Sequence, residues 1–215
     1  MFVRDRMSSP AVTISPDTPF QYALNLMKEK RFGRFPVVDE MGKIVGIVSE
    51  VDLMHASPSP ATSLSVWELH ELLSKLKIKE IMTTQVITTT PDATIEDAAC
   101  LMVSHKIGAL PVVSTENLVI GIITETDIFK TFVDLFGGGQ TGLRLTLEVP
   151  QKKGVVAGLS QAIFDLGGNI ASVGTFPSAA PGKWGMVIKV QDVNKGQLVD
   201  TLESLGDHVI DARDV

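Results

Sequence analysis

The sequence predicts an α+β chain: two copies of a β-α-β-β-α unit packed as a pair, followed by a βαββαβ tail. Three observations carry that expectation. Residues 3–54 align without a gap with residues 78–129 at a constant offset of 75, and 15 of the 52 positions are identical. Within each copy the apolar residues switch from helical to strand spacing. From Leu143 the pattern changes again, with Leu143, Leu145, Leu147 and Val149 alternating with Arg144, Thr146 and Glu148.

Each repeat opens with a short β-rich stretch, Val12–Ser15 or Val86–Thr90, leading into Ser15-Pro16-Asp17-Thr18-Pro19 or its equivalent, a helix start with proline near the first turn. The helix that follows has Phe20, Ala23, Leu24 and Met27 on its apolar face in the first copy and Ile95, Ala98, Ala99 and Met102 in the second. Gly33 or Gly108 is expected to stop it. Pro36-Val37-Val38 or Pro111-Val112-Val113 starts a strand, a turn near Met41-Gly42 or Glu116-Asn117 reverses the chain, and a second strand returns. That strand ends in a hydroxyl residue, Ser49 or Thr124, which opens the last helix with Asp52 or Asp127 three positions on.

Between the repeats, residues 55–62 read as a Pro/Ser linker, and a helix from Ser65 to about Leu76 has Trp67, Leu69, Leu72, Leu73 and Leu76 at helical spacing. Trp67 reads as a packing residue. After the second repeat, Phe129–Phe136 extends a helix into Gly137-Gly138-Gly139-Gln140-Thr141-Gly142. This run lacks the Gly-Lys-Ser/Thr ending of a phosphate loop and follows a helix, so it reads as a flexible hinge. In the tail, Gly154 precedes a helix carrying Val155, Leu159, Ile163 and Leu166, and Gly167-Gly168 ends it. A strand from Asn169, a third strand through Trp184, Met186, Ile188 and Val190, a helix over Asn194–Leu205 and a last strand over Val209–Val215 complete a ferredoxin-like order, an antiparallel sheet covered by helices on one face. The expected division is 1–56, 57–77, 78–136, 137–142 and 143–215.

Composition narrows the function. Residues 1–141 hold 12 Lys/Arg against 17 Asp/Glu and residues 142–215 hold 7 against 8, so neither part has the basic excess that nucleic-acid binding uses. No apolar run approaches the roughly 20 residues of a spanning helix. Cys100 is the sole cysteine, which excludes an intrachain disulfide and makes a reducing cytoplasm the simplest setting. His55, His70, His105 and His208 show no metal-ligand spacing, and no nucleophile elbow is present, so neither a catalytic residue nor a metal is expected.

The chemistry concentrates in Ser49-x-x-Asp52 and Thr124-x-x-Asp127. A carboxylate accepts from a diol, and a hydroxyl beside free N–H groups at a helix start suits an anion, so each copy could grip a ribose and a phosphate. The same residues also fit a helix cap, with the hydroxyl as N-cap and the acid in the first turn. The copies differ in charge: Lys28, Lys30, Arg31 and Arg34 cluster in the first, whereas the second keeps Lys106 with His105 beside it.

The duplicated unit, ending Gly-apolar-apolar-Ser/Thr-x-x-Asp with Pro-Val-Val upstream, resembles a pair of CBS domains. The tail resembles an ACT domain through its element order, Gly154 at the first turn and Asn169-Ile170 at the second strand. With Leu53-Met54-His55-Ala56-Ser57-Pro58-Ser59 and Thr131-Phe132-Val133, the whole is similar to AcuB-type acetoin-utilisation proteins. The resemblance implies a regulatory protein that binds an adenine nucleotide, or S-adenosylmethionine, between the repeats. Asp52 and Asp127 would then accept from ribose hydroxyls, and Ser49 and Thr124 would donate to phosphate. The base would sit against Thr13, Arg34, Phe35 and Pro36 in one copy and Thr88, Ala109, Leu110 and Pro111 in the other. Phe35 and Leu110 fit plain core equally well. It further implies a homodimer, an unidentified regulated protein and a second effector site near Gly154, Asn169 and Ile170. Gln151-Lys152-Lys153 departs there from the acidic residue usual before the glycine. The charge difference leads to the expectation that the first pocket tolerates more phosphates. The alternative is a structural dimerisation module whose Ser/Asp pairs are caps alone.

Overall fold

In the computed structural model, which describes residues 1–57, 68 and 73–215, each repeat has a helix, a β-hairpin and a second helix. In the first these are α1 (Phe20–Lys30), β1 (Arg34–Val38), β2 (Ile44–Ser49) and α2 (Glu50–Ala56). In the second they are α3 (Ile95–His105), β3 (Ala109–Val113), β4 (Val119–Thr124) and α4 (Glu125–Leu135). The helices bury equivalent positions, Phe20, Ala23 and Met27 against Ile95, Ala98 and Met102. The hairpins share a register, with Phe35 opposite Val48 and Leu110 opposite Ile123.

Two local expectations are corrected. The leading β-rich stretches make only single parallel bridges, Ile14 with Val37 and Thr89 with Val112. Pro16 and Pro91 follow closely and have no N–H with which to continue a ladder. The helices stop before the glycines: Arg31 and Lys106 adopt left-handed φ values of 56° and 55°, and the next N–H groups close back 3.0 Å onto the Met27 and Met102 carbonyls. Gly33 and Gly108 instead offer their carbonyls to the Glu50 and Glu125 N–H groups, at 2.9 and 3.1 Å.

The start of each repeat packs into the other copy. Val3 is fully buried among Ile95, Ala98, Met102, Leu110, Val112 and Ile123 of the second repeat. Its counterpart Ile78 is fully buried among Phe20, Ala23, Met27, Phe35, Val37 and Val48 of the first. The backbone follows suit: Ser8 and Ile122 exchange hydrogen bonds of 2.9 and 3.0 Å, while Thr83 and Ile47 exchange two of 2.9 Å. Ion pairs repeat the exchange at the surface, between Arg4 and Asp92 and from Lys77 and Lys79 to Asp17. Of the expected linker helix, Trp67, Leu69 and Leu72 lie outside the described residues, whereas Leu73 and Leu76 pack against the first repeat's core.

The chain separates into two units, Met1–Phe129 and Lys130–Val215. The second contains β5 (Leu143–Pro150), α5 (Val155–Asp165), β6 (Asn169–Pro177), β7 (Lys183–Gln191), α6 (Lys195–Ser204) and β8 (His208–Asp214). Its four strands form an antiparallel sheet in the order β6-β7-β5-β8. The alternation in β5 does what period-two patterning requires: Leu143, Leu145, Leu147 and Val149 join Met186, Ile188 and Val190 under Leu159, Ile163, Leu198 and Leu202. The glycine run, expected to be a loose hinge, is fastened to β7. Lys189 Nζ donates to the Gly137 and Gln140 carbonyls at 2.7 and 2.9 Å, and Gln191 Nε2 donates to that of Thr141 at 3.0 Å. Among the described residues no helix is long and apolar enough to cross a membrane.

Candidate functional site

Because Thr83 is stitched to Ile47, the segment after it lies along the strand that ends in Ser49. A cleft of about 220 Å³ results, walled by Arg34, Ile47, Ser49 and Asp52 of the first repeat and by Thr83, Gln85, Val86, Ile87, Lys106, Ile107, Gly108 and Ala109 of the second. One carboxylate, two hydroxyls, an amide and two cations thus face an apolar strip. Arg34 turns toward the second repeat: a Cβ added to Gly108 would stand 2.7 Å from its Nη2. Glycine is what lets the guanidinium lie there.

Asp52 is anchored by its own helix start. Its Oδ2 accepts from the Ser49 N–H and hydroxyl, both at 2.7 Å, while the Asp52 N–H donates to Ser49 Oγ at 3.2 Å. Thr124 and Asp127 form the same box at α4, at 2.9, 2.7 and 3.4 Å. The capping alternative is therefore realised in both copies, and it bears on the expected phosphate contact. The Ser49 hydroxyl donates to Asp52 in this arrangement, which leaves Arg34 and Lys106 as the cleft's cationic donors. Asp52 Oδ1 enters no hydrogen bond among the described residues, so capping leaves half the carboxylate for other acceptor work.

The other expected residues separate. Arg34, Ser49, Asp52 and Ala109 meet in the cleft, whereas Thr124 and Asp127 do not line it. Phe35 and Leu110 are wholly buried core residues, each worth about 2–3 kcal/mol by burial. Pro36 and Pro111 are buried in their strands opposite Ile47 and Ile122. Thr13 and Thr88, half-buried, lie off the cleft walls. Thr83, Gln85, Ile107 and Gly108 carry no mark of the cleft in the sequence, Val86 and Ile87 stand in the β-rich stretch at the start of the second copy, and Lys106 shows there only as a charge. The ungapped offset pairs Thr83 with Ser8, but it does not say which copy each segment serves.

In the tail, Gly154 takes φ 86° as the residue before α5, a conformation that suits glycine. Asn169 begins β6 opposite Gln191, and Ile170 packs on the core. The 11 residues of α5, at about 1.5 Å each, stand between Gly154 and Asn169. A cleft of about 380 Å³ beside Gly154 is lined by Val149, Lys152, Val155, Trp184 and neighbours, and includes neither Asn169 nor Ile170. One chain does not bring the three together.

Among the described residues the largest pKa displacement lies on the exchanged contact, away from the cleft. Hydrogen bonds from Lys79 and then Lys77 hold the exposed Asp17 carboxyl at about 2, down from 3.8.

Fold and cleft define a tandem α/β repeat protein with a polar cleft at the seam between its copies. The chain belongs to the CBS domain family, whose model matches residues 3–59 and 78–134. An uncharacterized protein of Methanocaldococcus jannaschii is 34% identical over 155 residues, 62% of this chain and 92% of that protein. A second from the same organism is 32% identical over 142 residues, and the chain spans only 51% of its length. Among solved structures, the CBS domain pair of a protein in complex with 5′-methylthioadenosine and S-adenosyl-L-methionine is 30% identical, covers 65% of this chain and 98% of that one, and has a TM-score of 0.53. A Vibrio cholerae protein assigned to acetoin utilization (AcuB) is 31% identical, covering 64% and 93%, with a TM-score of 0.53. CBSX2 in complex with AMP is 28% identical, covering 61% and 96%, with a TM-score of 0.52.

Proposed function

We propose that the protein is a non-catalytic sensor that binds an adenine nucleotide, or a related adenosyl ligand, in the cleft between its repeats. The observation that carries this is the convergence of Asp52, Arg34 and Lys106 on one apolar strip drawn from both copies. Asp52 Oδ1 accepts from the ribose diol, Arg34 and Lys106 meet the phosphate, and Val86, Ile87 and Ala109 hold the base. Solved complexes of similar CBS pairs with AMP and with S-adenosyl-L-methionine and 5′-methylthioadenosine support the ligand class. Thr124 and Asp127 supply the related grip of a second half-site, and since Ala109 stands at the position aligned with Arg34, the second copy tolerates fewer phosphates.

The domain division read from the sequence belongs to the same proposal. So do an ACT-like, ferredoxin-like tail with a second effector or dimer contact near Gly154 and Asn169, a homodimer, a cytoplasmic setting and an unidentified regulated protein. A ligand regulates only if it binds two arrangements with different affinity, and the seam between the repeats is where two arrangements would differ. Calorimetric titration of the full chain with AMP, ADP, ATP and S-adenosylmethionine tests the proposal. Binding of at least one, weakened by Asp52→Ala, supports it; no binding of any at millimolar concentration ends it. The capping boxes favour one other function, a dimerisation module in which Asp52 and Asp127 stabilise helices alone. In that case both substitutions change stability and no adenosyl ligand binds.

A further inference from the structure

The outer face of the tail sheet carries a row of like charges. Register places Arg213 opposite Arg144 across β8 and β5, Arg144 opposite Lys189 across β5 and β7, and Ser172 opposite Lys189 on β6. Like charges facing each other across an antiparallel pair are unfavourable. Asp211 answers Arg213 with two hydrogen bonds of 2.8 Å and reaches Arg144 only at 3.9 Å. Lys189 makes no ion pair with an acidic residue among the described residues. It is 7% exposed, and its Nζ donates to the two loop carbonyls, Gly137 and Gln140. Those carbonyls satisfy donors without supplying a counter-charge, and a charge so buried is costly without one.

Beside this row the same face is hollow and apolar. A cavity of about 470 Å³ has Phe132, Phe136, Phe176 and Val187 on its apolar side and Arg144, Ser172 and Lys189 on its polar side; Val215 also lines it, and no Asp or Glu does. Gly174 admits the Phe136 ring, since a Cβ there would collide with it. Small-molecule sites have this character: about 300–1,000 Å³, mostly apolar, with a few placed polar groups. We propose that this cavity binds a small organic carboxylate with an apolar body. The carboxylate meets Arg144, Lys189 and the Ser172 hydroxyl, and the body lies against Phe132, Phe136 and Val187. The proposal does not depend on nucleotide binding, because the ligand needs neither ribose nor base.

The test is calorimetry on the full chain with three probes of one shape: 3-phenylpropionate, 3-phenylpropan-1-ol and 3-phenylpropylamine. The carboxylate should bind about tenfold or more tighter than the alcohol, as one charge-assisted hydrogen bond requires, and the amine should not bind. Arg144→Met and Lys189→Met should each weaken the carboxylate about tenfold, and Val187→Trp, which fills the cavity, should abolish it. Lys189 also holds the glycine loop, so Lys189→Met is read only if its melting curve stays cooperative; Arg144→Met and Val187→Trp decide the matter otherwise. Equal binding of the three probes, no binding of the carboxylate at millimolar concentration, or unchanged affinity in Arg144→Met and Val187→Trp would overturn the proposal.

Discussion

Capping and ligand binding at Asp52 can be separated because the protein holds a matched control. α2 and α3 share two of their opening bonds, and α2 adds a third, from the Ser49 N–H to Asp52. The hydroxyl donates to the carboxylate at 2.7 Å in Ser49/Asp52 and at 2.8 Å in Thr94/Asp97, and the returning N–H bonds are 3.2 and 3.1 Å. Asp52 lines the cleft and Asp97 does not. Asp97→Ala therefore keeps the Thr94 cap and removes only the first-turn carboxylate that accepts its hydroxyl, at a cost of about 0.5–1 kcal/mol, or roughly 2–5 °C in Tm for a unit of this size. Asp52→Ala should lose somewhat more stability, since the Ser49 N–H also donates to that carboxylate, and, in addition, a charged acceptor for two ribose hydroxyls. Each such bond is worth about 1.5–3 kcal/mol; a net loss of about 2 kcal/mol is roughly thirtyfold in AMP affinity. Thermal melts with AMP titrations on both variants give the answer. A loss of Tm with unchanged AMP affinity in Asp52→Ala would refute the ligand role and leave only the cap.

Three further outcomes follow from the geometry. Arg34→Ala and Lys106→Ala should weaken ATP and ADP about tenfold while leaving adenosine nearly unaffected, because each removes one charge-assisted phosphate contact; titration with the nucleoside and its phosphates reads the difference. Ile78→Ala opens a cavity in the first repeat and should cost about 2–5 kcal/mol in urea unfolding, with amide-exchange protection falling over residues 20–37 before residues 95–112. The depressed Asp17 carboxyl, near 2 in the folded chain against 3.8 unfolded, stabilises above pH 3.8, and that gain is lost as pH falls toward 2. Asp17→Asn should therefore lower Tm by a constant amount at neutral pH, with the gap to wild type closing between about pH 4 and 2; because the pair is exposed, added salt should shrink it.

The helices and hairpins were legible because each depends on spacing within one copy. Phe20, Ala23 and Met27 recur at helical intervals, and Leu143 to Val149 alternate without interruption. The helix ends were less so: Arg31 and Lys106 adopt left-handed conformations that glycine usually takes, while the nearby glycines serve close packing. The hydroxyl–aspartate motif is legible in the sequence, but its two uses draw on the same side chains, and only coordinates show that the cap at Asp52 engages Oδ2. The far wall of the cleft could not be read. Thr83 belongs by sequence to the second copy and by its backbone bonds to the first, Gln85 and Val86 follow it along the cleft, and Ile87 already packs on the second repeat's core; periodicity carries no information about contacts between copies. Phe35 and Leu110, ambiguous between base wall and core, were resolved by complete burial.

The crossing of Val3 and Ile78 makes the pair a tethered dimer of half-molecules. A single copy cut free would expose an empty socket where its partner's plug belongs, so neither half should persist as an independently folded monomer. Two separately produced halves, by contrast, should find each other and reconstitute the seam, with a stability that rises with concentration. In the intact chain the tether keeps each plug permanently near its socket, an effective concentration of the order that short linkers supply. Duplication thereby turned an encounter between molecules into a property of one polypeptide.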